Sequence, residues 1–242
     1  SDSGLDLTAA VLLAINKYPY CIDDPDRHKG VYSTEWEGIG FLRDTWGMPK
    51  GCATLEAQLM DLCDDIAYST HDLEDGIRAG KILMDRAFFE DDRVVAHVLQ
   101  EITEDPNYSA ANWQGVDQEA MVKRVLIEFY EQWAQIYLEC DREPSRTRRE
   151  MKARWVRKFA SEVGIIDEPS SGWKKVTFVR DGQRDWELQR TMEILKKLAW
   201  VTLIKDFRVQ RLHKRSEVMI ERLWGSFKTY ETGRLIVPRD WL

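Results

Sequence analysis

Apolar positions recur with the helical period over most of this chain. Thr8 to Lys17 reads as a short amphipathic helix, closed by the turn signal at Pro19. The polar stretch 21–33, CIDDPDRHKGVYS, carries Pro and Gly and reads as a loop. Helical spacing returns from Thr34 to Thr45 and stops at Gly47 and Pro49. Thr54 then caps a long helix from Leu55 to Ala79, with Gly80 at its C-terminal cap position. Further helices are predicted over Asp91–Thr103, Asp117–Cys140, Ser145–Val163 and Asp185–Gly225. Residues 104–116 read as a polar loop. Segment 164–183 contains KKVTFVRDGQ, whose alternation and Asp181-Gly182 pair predict a small β-hairpin near 174–183. The fold class is therefore all-α, a multi-helix bundle with one small hairpin.

The helix Leu55–Ala79 is the informative one. With successive residues 100° apart, Leu55, Leu59, Leu62, Ile66, Leu73 and Ile77 share a sector that would face a core. Asp61, Asp64, Asp65, Tyr68, Asp72 and Asp75 fall on the opposite side, and Asp64, Tyr68 and Asp72 form an i, i+4, i+8 ladder. Like charges at this spacing repel, so a cation, a basic neighbouring element or water has to offset them. One reading is a solvated acidic face. The other is a site: the Tyr68 ring among carboxylates suggests a partly closed cleft, and oxygen ligands alone suit Mg2+ or Mn2+. His71-Asp72 has the composition of a metal-binding pair, but adjacent helical residues point about 100° apart. His28, His97 and His213 stand in no HxxxH relation to it.

Composition narrows the choices. The 242 residues carry 35 Lys and Arg against 42 Asp and Glu, a formal charge of −7, which argues against a general nucleic-acid coat. The longest apolar run, Ala9 to Ile15, is far short of the roughly 20 residues a bilayer crossing needs. No signal peptide is evident at Ser1-Asp2-Ser3-Gly4, so a cytoplasmic location is expected. Cys21, Cys52, Cys63 and Cys140 have no CxxC spacing and read as free, mostly buried thiols. The basic run Arg142–Lys158 reads either as a solvated helix face or as a surface for a partner subunit or polyphosphate.

The segment LEAQLMDLCDDIAYSTHDLEDGIRAG closely resembles the deoxyguanosine triphosphate triphosphohydrolase family of HD-domain phosphohydrolases. The preceding GLDLTAAVLLAINKYPY and KGVYS are similar to the same family's region ahead of that helix. The likeness is specific over residues 4–80; beyond them it rests on helix order and the LKKLAW segment. The resemblance implies an HD-domain-like helical bundle, with residues 1–140 as the C-terminal part of the phosphohydrolase core and 141–242 as a helical C-terminal region. It implies conversion of a deoxynucleoside triphosphate, dGTP favoured, to deoxynucleoside plus triphosphate. It also implies a divalent metal and a homo-oligomer, a hexamer in this family.

Residue by residue, the resemblance makes Asp64 a metal ligand, Tyr68 the ring packed on the deoxyribose, and Asp72 the acceptor for the sugar 3′-hydroxyl. Lys17 and Tyr18 resemble a pair lying near the triphosphate, and Lys205 or Arg208 stands for a late basic contact to phosphates or base. The family's first metal-binding His and its His-Asp pair lie ahead of the region that begins here at Gly4. His71-Asp72 does not replace them, since it aligns with the sugar contact. A hydrolase needs three or more ligands to lower the pKa of a metal-bound water, so no catalytic residue is assigned. The resemblance thus points to the C-terminal part of such an enzyme, inactive alone. The alternative is a non-catalytic helical module for nucleotide sensing or assembly.

Overall fold

The computed structural model describes residues 5–25, 29–105, 110–168 and 171–229. The described residues are mainly α-helical, with one small antiparallel sheet. Helix α1 (Ala9–Ala14) starts where the Thr8 hydroxyl accepts from the Val11 amide. It stops short of Lys17, because Pro19 disfavours the helical conformation ahead of it and the Lys17 amide turns back to the Ile15 carbonyl at 3.0 Å. Chain pairing at Cys21 and Val31 pins the base of the next loop, and α2 spans Ser33–Thr45. Helix α3 (Leu55–Arg78) has Thr54 as N-cap, accepting from Ala57 N–H at 3.2 Å. Past its end, Gly80 adopts φ +66°, a left-handed conformation that costs glycine little.

The short helix α4 (Arg86–Glu90), capped by Asp85, was not legible as a separate element. It leads into α5 (Asp92–Thr103), and then, past a 3-10 turn at Ala110–Trp113, into α6 (Gln118–Glu139) and α7 (Pro144–Ser161). The helix expected to reach Val163 ends at Ser161, because Val163 opens a strand. Strand β1 (Val163–Glu168) pairs antiparallel with β2 (Trp173–Arg180), Val163 opposite Phe178. The β-branched and apolar run Val163, Ile165, Ile166 favours pairing over helix continuation. The anticipated Asp181-Gly182 turn is present, both residues at positive φ, and returns the chain as the two-residue β3 (Gln183–Arg184).

The single helix expected over Asp185–Gly225 is broken. Helix α8 (Trp186–Ala199) passes into a π turn at Trp200–Ile204 before α9 (Phe207–Thr229) begins. The Thr202 hydroxyl bonds back to the Leu198 carbonyl at 2.7 Å, and the Lys205 amide reaches Trp200, five residues back. Asp206 then accepts from the Arg208 amide at the start of the next helix.

One buried cluster joins α3, α4, α5, α6, α7, β2 and α8. An aromatic chain runs through it, Phe89–Phe129–Trp155–Phe159–Phe178, with successive ring centroids 6.0, 6.1, 5.4 and 5.6 Å apart. On α3 the inward residues Leu62, Ile66 and Leu73 are buried as expected. Leu59 is not: it is exposed, because β2 approaches that end of α3 from the Ala57–Gln58 side. Gln58 bonds the Ala53 and Lys174 carbonyls and accepts from Val176 N–H, so the sheet fixes the position of α3. Three of the eight basic residues of the run Arg142–Lys158 pair with acids among the described residues: Arg146 with Asp141, Lys152 with Glu74, and Arg154 with Glu139 and Glu150. All four cysteines are free; Cys140 is buried, but Cys63 is exposed and Cys21 and Cys52 are intermediate, so mostly buried thiols was too strong a reading. No helix among the described residues is long and apolar enough to cross a membrane.

Candidate functional site

The buried face of α3 leaves the opposite side carrying Asp61, Asp64, Asp65, Tyr68, Asp72 and Asp75, as the periodicity required. What offsets the repulsion comes from other elements. The turn after α1 delivers Lys17, whose Nζ lies 2.6 Å from Asp64 Oδ2 and 2.9 Å from Asp61 Oδ1. Burial works against the Lys17 charge, but its hydrogen bonds to Asp64 and Asp61 outweigh it and raise the pKa above the usual 10.5. Lys196, from α8, pairs with Asp65. Lysines 47 and 131 residues away thus neutralise much of this acidic face.

Tyr18 sits beside Lys17, with Lys29 Nζ 3.3 Å from its hydroxyl and the same ammonium over its ring. Tyr68, one turn beyond Asp64, is 51% exposed, so its ring stands on an open face and not in the partly closed cleft anticipated. One further turn on, Asp72 is half-buried. Its pKa is raised by burial and then by repulsion from Asp75, against the attraction of His71 and Lys196. Its carboxylate accepts no side-chain hydrogen bond and makes no ion pair among the described residues. A desolvated, unpartnered carboxylate beside an exposed aromatic ring is suited to accept a hydroxyl from a ligand that stacks on that ring.

The structure brings Lys17, Tyr18 and Asp64 together, with Tyr68 and Asp72 continuing along the same helix. Lys205 and Arg208 stand elsewhere: Lys205 pairs with Glu101 of α5, and Arg208 is exposed at the start of α9. Sequence reasoning missed Lys196 and, next to it on α8, Glu193, whose pKa burial raises. LKKLAW drew notice only as a loose likeness, because nothing local in it says which helix it meets. Among the described residues, no three His, Cys, Asp or Glu side chains cluster as a metal site. Asp64 is held by an ammonium instead, so these residues alone do not fit a resident metal.

No family model matches the chain. Curated relatives do. The chain is 36% identical over 107 residues to a deoxyguanosinetriphosphate triphosphohydrolase-like protein of Bifidobacterium longum, covering 41% of this chain and 22% of that protein. It is 46% identical over 83 residues to the protein of the same name from Corynebacterium efficiens, 33% of this chain and 19% of the relative. A deoxyguanosinetriphosphate triphosphohydrolase-like protein 2 of Vibrio cholerae is 22% identical over 239 residues, 98% of this chain and 52% of the relative. The matches thus span about half of the Vibrio relative's length and about a fifth of the other two.

Proposed function

From the premise that this chain is related to the deoxyguanosinetriphosphate triphosphohydrolase-like proteins, we propose that it supplies the sugar- and phosphate-facing part of a deoxynucleoside triphosphate triphosphohydrolase. The observation that carries this is Asp72, a half-buried carboxylate without a hydrogen-bond or ion-pair partner among the described residues, one turn from the exposed ring of Tyr68. A deoxyribose stacked on Tyr68 would place its 3′-hydroxyl to donate to Asp72, relieving the desolvation that raises that pKa. Lys17 would turn its ammonium from Asp64 toward the phosphates, where positive charge favours the departing triphosphate. The net reaction adds water to a deoxynucleoside triphosphate and gives deoxynucleoside and inorganic triphosphate, with dGTP the favoured substrate. The family resemblance implies a divalent metal, Mg2+ or Mn2+, at Asp64, but Asp64 paired with Lys17 does not by itself fit one. Two or more further ligands would have to join Asp64, and no step is assigned to the metal here.

Calorimetric titration of the chain with dGTP and other deoxynucleoside triphosphates tests this. Binding is expected, and it should weaken at least tenfold in Asp72→Ala. Absence of binding, or binding indifferent to Asp72→Ala, would overturn it. The chain alone should not hydrolyse dGTP with added Mn2+, and hydrolysis at a rate comparable to intact relatives would refute the one-ligand argument. A second reading, a nucleotide-sensing module, is favoured by the Lys17–Asp64 pair, in which an ammonium already offsets the carboxylate. It is distinguished by binding that is insensitive to Mn2+ in every form of the protein, including longer ones.

A further inference from the structure

The basic run of α7 also faces inward. Arg148, Lys152 and Trp155 stand at i, i+4 and i+7, so they share one face of that helix. With Thr70, Glu74 and Ile77 of α3 and Phe129 of α6, that face closes on a cleft of about 270 Å3, counted out to its open mouth. Within the cleft the room for water-sized atoms is about 10 Å3, enough for a single water. Thr70, Glu74 and Ile77 lie roughly 140–160° round α3 from Asp72. The cleft is therefore on a different flank of the helix from the carboxylate ladder.

Two donors in this lining have no acceptor. The Trp155 indole nitrogen and Arg148 Nε are both buried, and neither has a hydrogen-bond partner among the described residues. Trp155 is 3% exposed, and its ring packs against Phe129 and Phe159 with centroids 6.1 and 5.4 Å away, which fixes the direction of its N–H. Lys152 already pairs with Glu74, and the Thr70 hydroxyl donates to the Ile66 carbonyl at 2.8 Å. The charged groups of the lining are thus two cations and one carboxylate, a net +1, and Arg148 enters no ion pair among the described residues. A buried donor without an acceptor carries its full desolvation cost, and a cation held against apolar side chains carries more. A water would satisfy the donors and leave the charge, whereas an oxyanion answers both. We propose that the α3–α6–α7 cleft binds a small oxyanion, a phosphate or carboxylate group, through Arg148 Nε and the Trp155 indole N–H. The small enclosed room excludes a nucleoside, so the group that enters is the oxyanion itself or the anionic end of a larger ligand.

Titration of the full chain with inorganic phosphate and, separately, with sodium acetate tests this, with ionic strength held constant by sodium chloride. The Trp155 indole N–H signal in a nitrogen–proton correlation spectrum, identified by its loss in Trp155→Phe, should shift and saturate, half-complete at about 1–10 mM anion. A response to phosphate alone makes a phosphoryl group the ligand; a response to acetate, with or without phosphate, makes it a carboxylate-sized oxyanion. Arg148→Gln should weaken the response at least tenfold. Arg148→Lys keeps the charge but lacks Nε, and should not restore it, with circular dichroism reporting unchanged helix content in both. Should either variant fail to fold, the wild-type titration decides alone. A Trp155 signal that moves with neither anion, that moves equally with sodium chloride alone, or that moves as readily in Arg148→Gln would each overturn the proposal and leave a water as the occupant.

Discussion

Replacing Lys17 with Gln probes the connection on which the arrangement of the ladder depends. The substitution removes one ammonium shared by two carboxylates at 2.6 and 2.9 Å and leaves Asp61 and Asp64 a helical turn apart without compensation. A hydrogen bond to a charged group is worth about 1.5–3 kcal/mol when enclosed. Both aspartates are partly exposed, 41% and 56% at the side chain, which brings each contact toward the ~0.2–1 kcal/mol of surface pairs. Restored repulsion between the aspartates adds a few tenths. The total is about 1–2 kcal/mol, or roughly 3–6 °C of melting temperature for a chain of this size. The Lys17 pKa is raised in the folded state, so its stabilisation is fully present below 10.5 and is lost as pH rises through the folded value. Thermal denaturation of both proteins between pH 6 and 9 should give a constant difference, shrinking at more alkaline pH and in ~1 M salt, where the Debye length falls to about 3 Å. An unchanged melting temperature at pH 7 in low salt, or a difference undiminished by salt, would refute the assignment of Lys17 as the electrostatic brace of α3.

Phe159→Ala removes a fully buried ring packed between Trp155 and Phe178, and a loss of about 3–5 kcal/mol is expected from chemical denaturation; Phe207→Ala, on an exposed ring, should cost under ~0.5 kcal/mol. Asp72→Asn should stabilise the chain at neutral pH, because the folded-state pKa is raised and ionisation there carries a penalty. That advantage is complete above the folded pKa and fades as pH falls toward 3.8, which denaturation at pH 3.5 and 7 would check. Gln58→Ala should strip the Val176 amide of its acceptor, seen as faster hydrogen exchange at Val176 than at Phe178.

Where local chemistry decided an element, the sequence was readable. Thr54 and Gly80 bracket α3 because a hydroxyl cap and a left-handed glycine act within a few residues of themselves. The Asp181-Gly182 turn was readable for the same reason. Strand β1 was hidden because Gly164 interrupts the Val163–Glu168 run and only pairing with β2 turns that run into a strand. The break at Trp200 was hidden likewise: the apolar run through LAWVTLI suits a helix, and the π turn depends on Thr202 bonding Leu198 and on where α9 has to go.

The candidate site divides along the same line. Helical arithmetic placed Asp64, Tyr68 and Asp72 in register, since three residues on one rigid helix need no tertiary information. It left open whether a cation, a basic element or water offsets their charge. The fold chose lysines from two other elements, for Lys17 and Lys196 approach α3 from opposite ends of the sequence. The neutralisation is uneven along the helix: Asp61, Asp64 and Asp65 are paired, while Asp72 is burdened by burial and by Asp75. A carboxylate held half-buried without a partner among the described residues bears a desolvation cost that turning it to water would relieve. The gradient from a paired to an unpaired end is what a surface needs if one end is to exchange an ammonium with phosphates and the other is to accept a sugar hydroxyl.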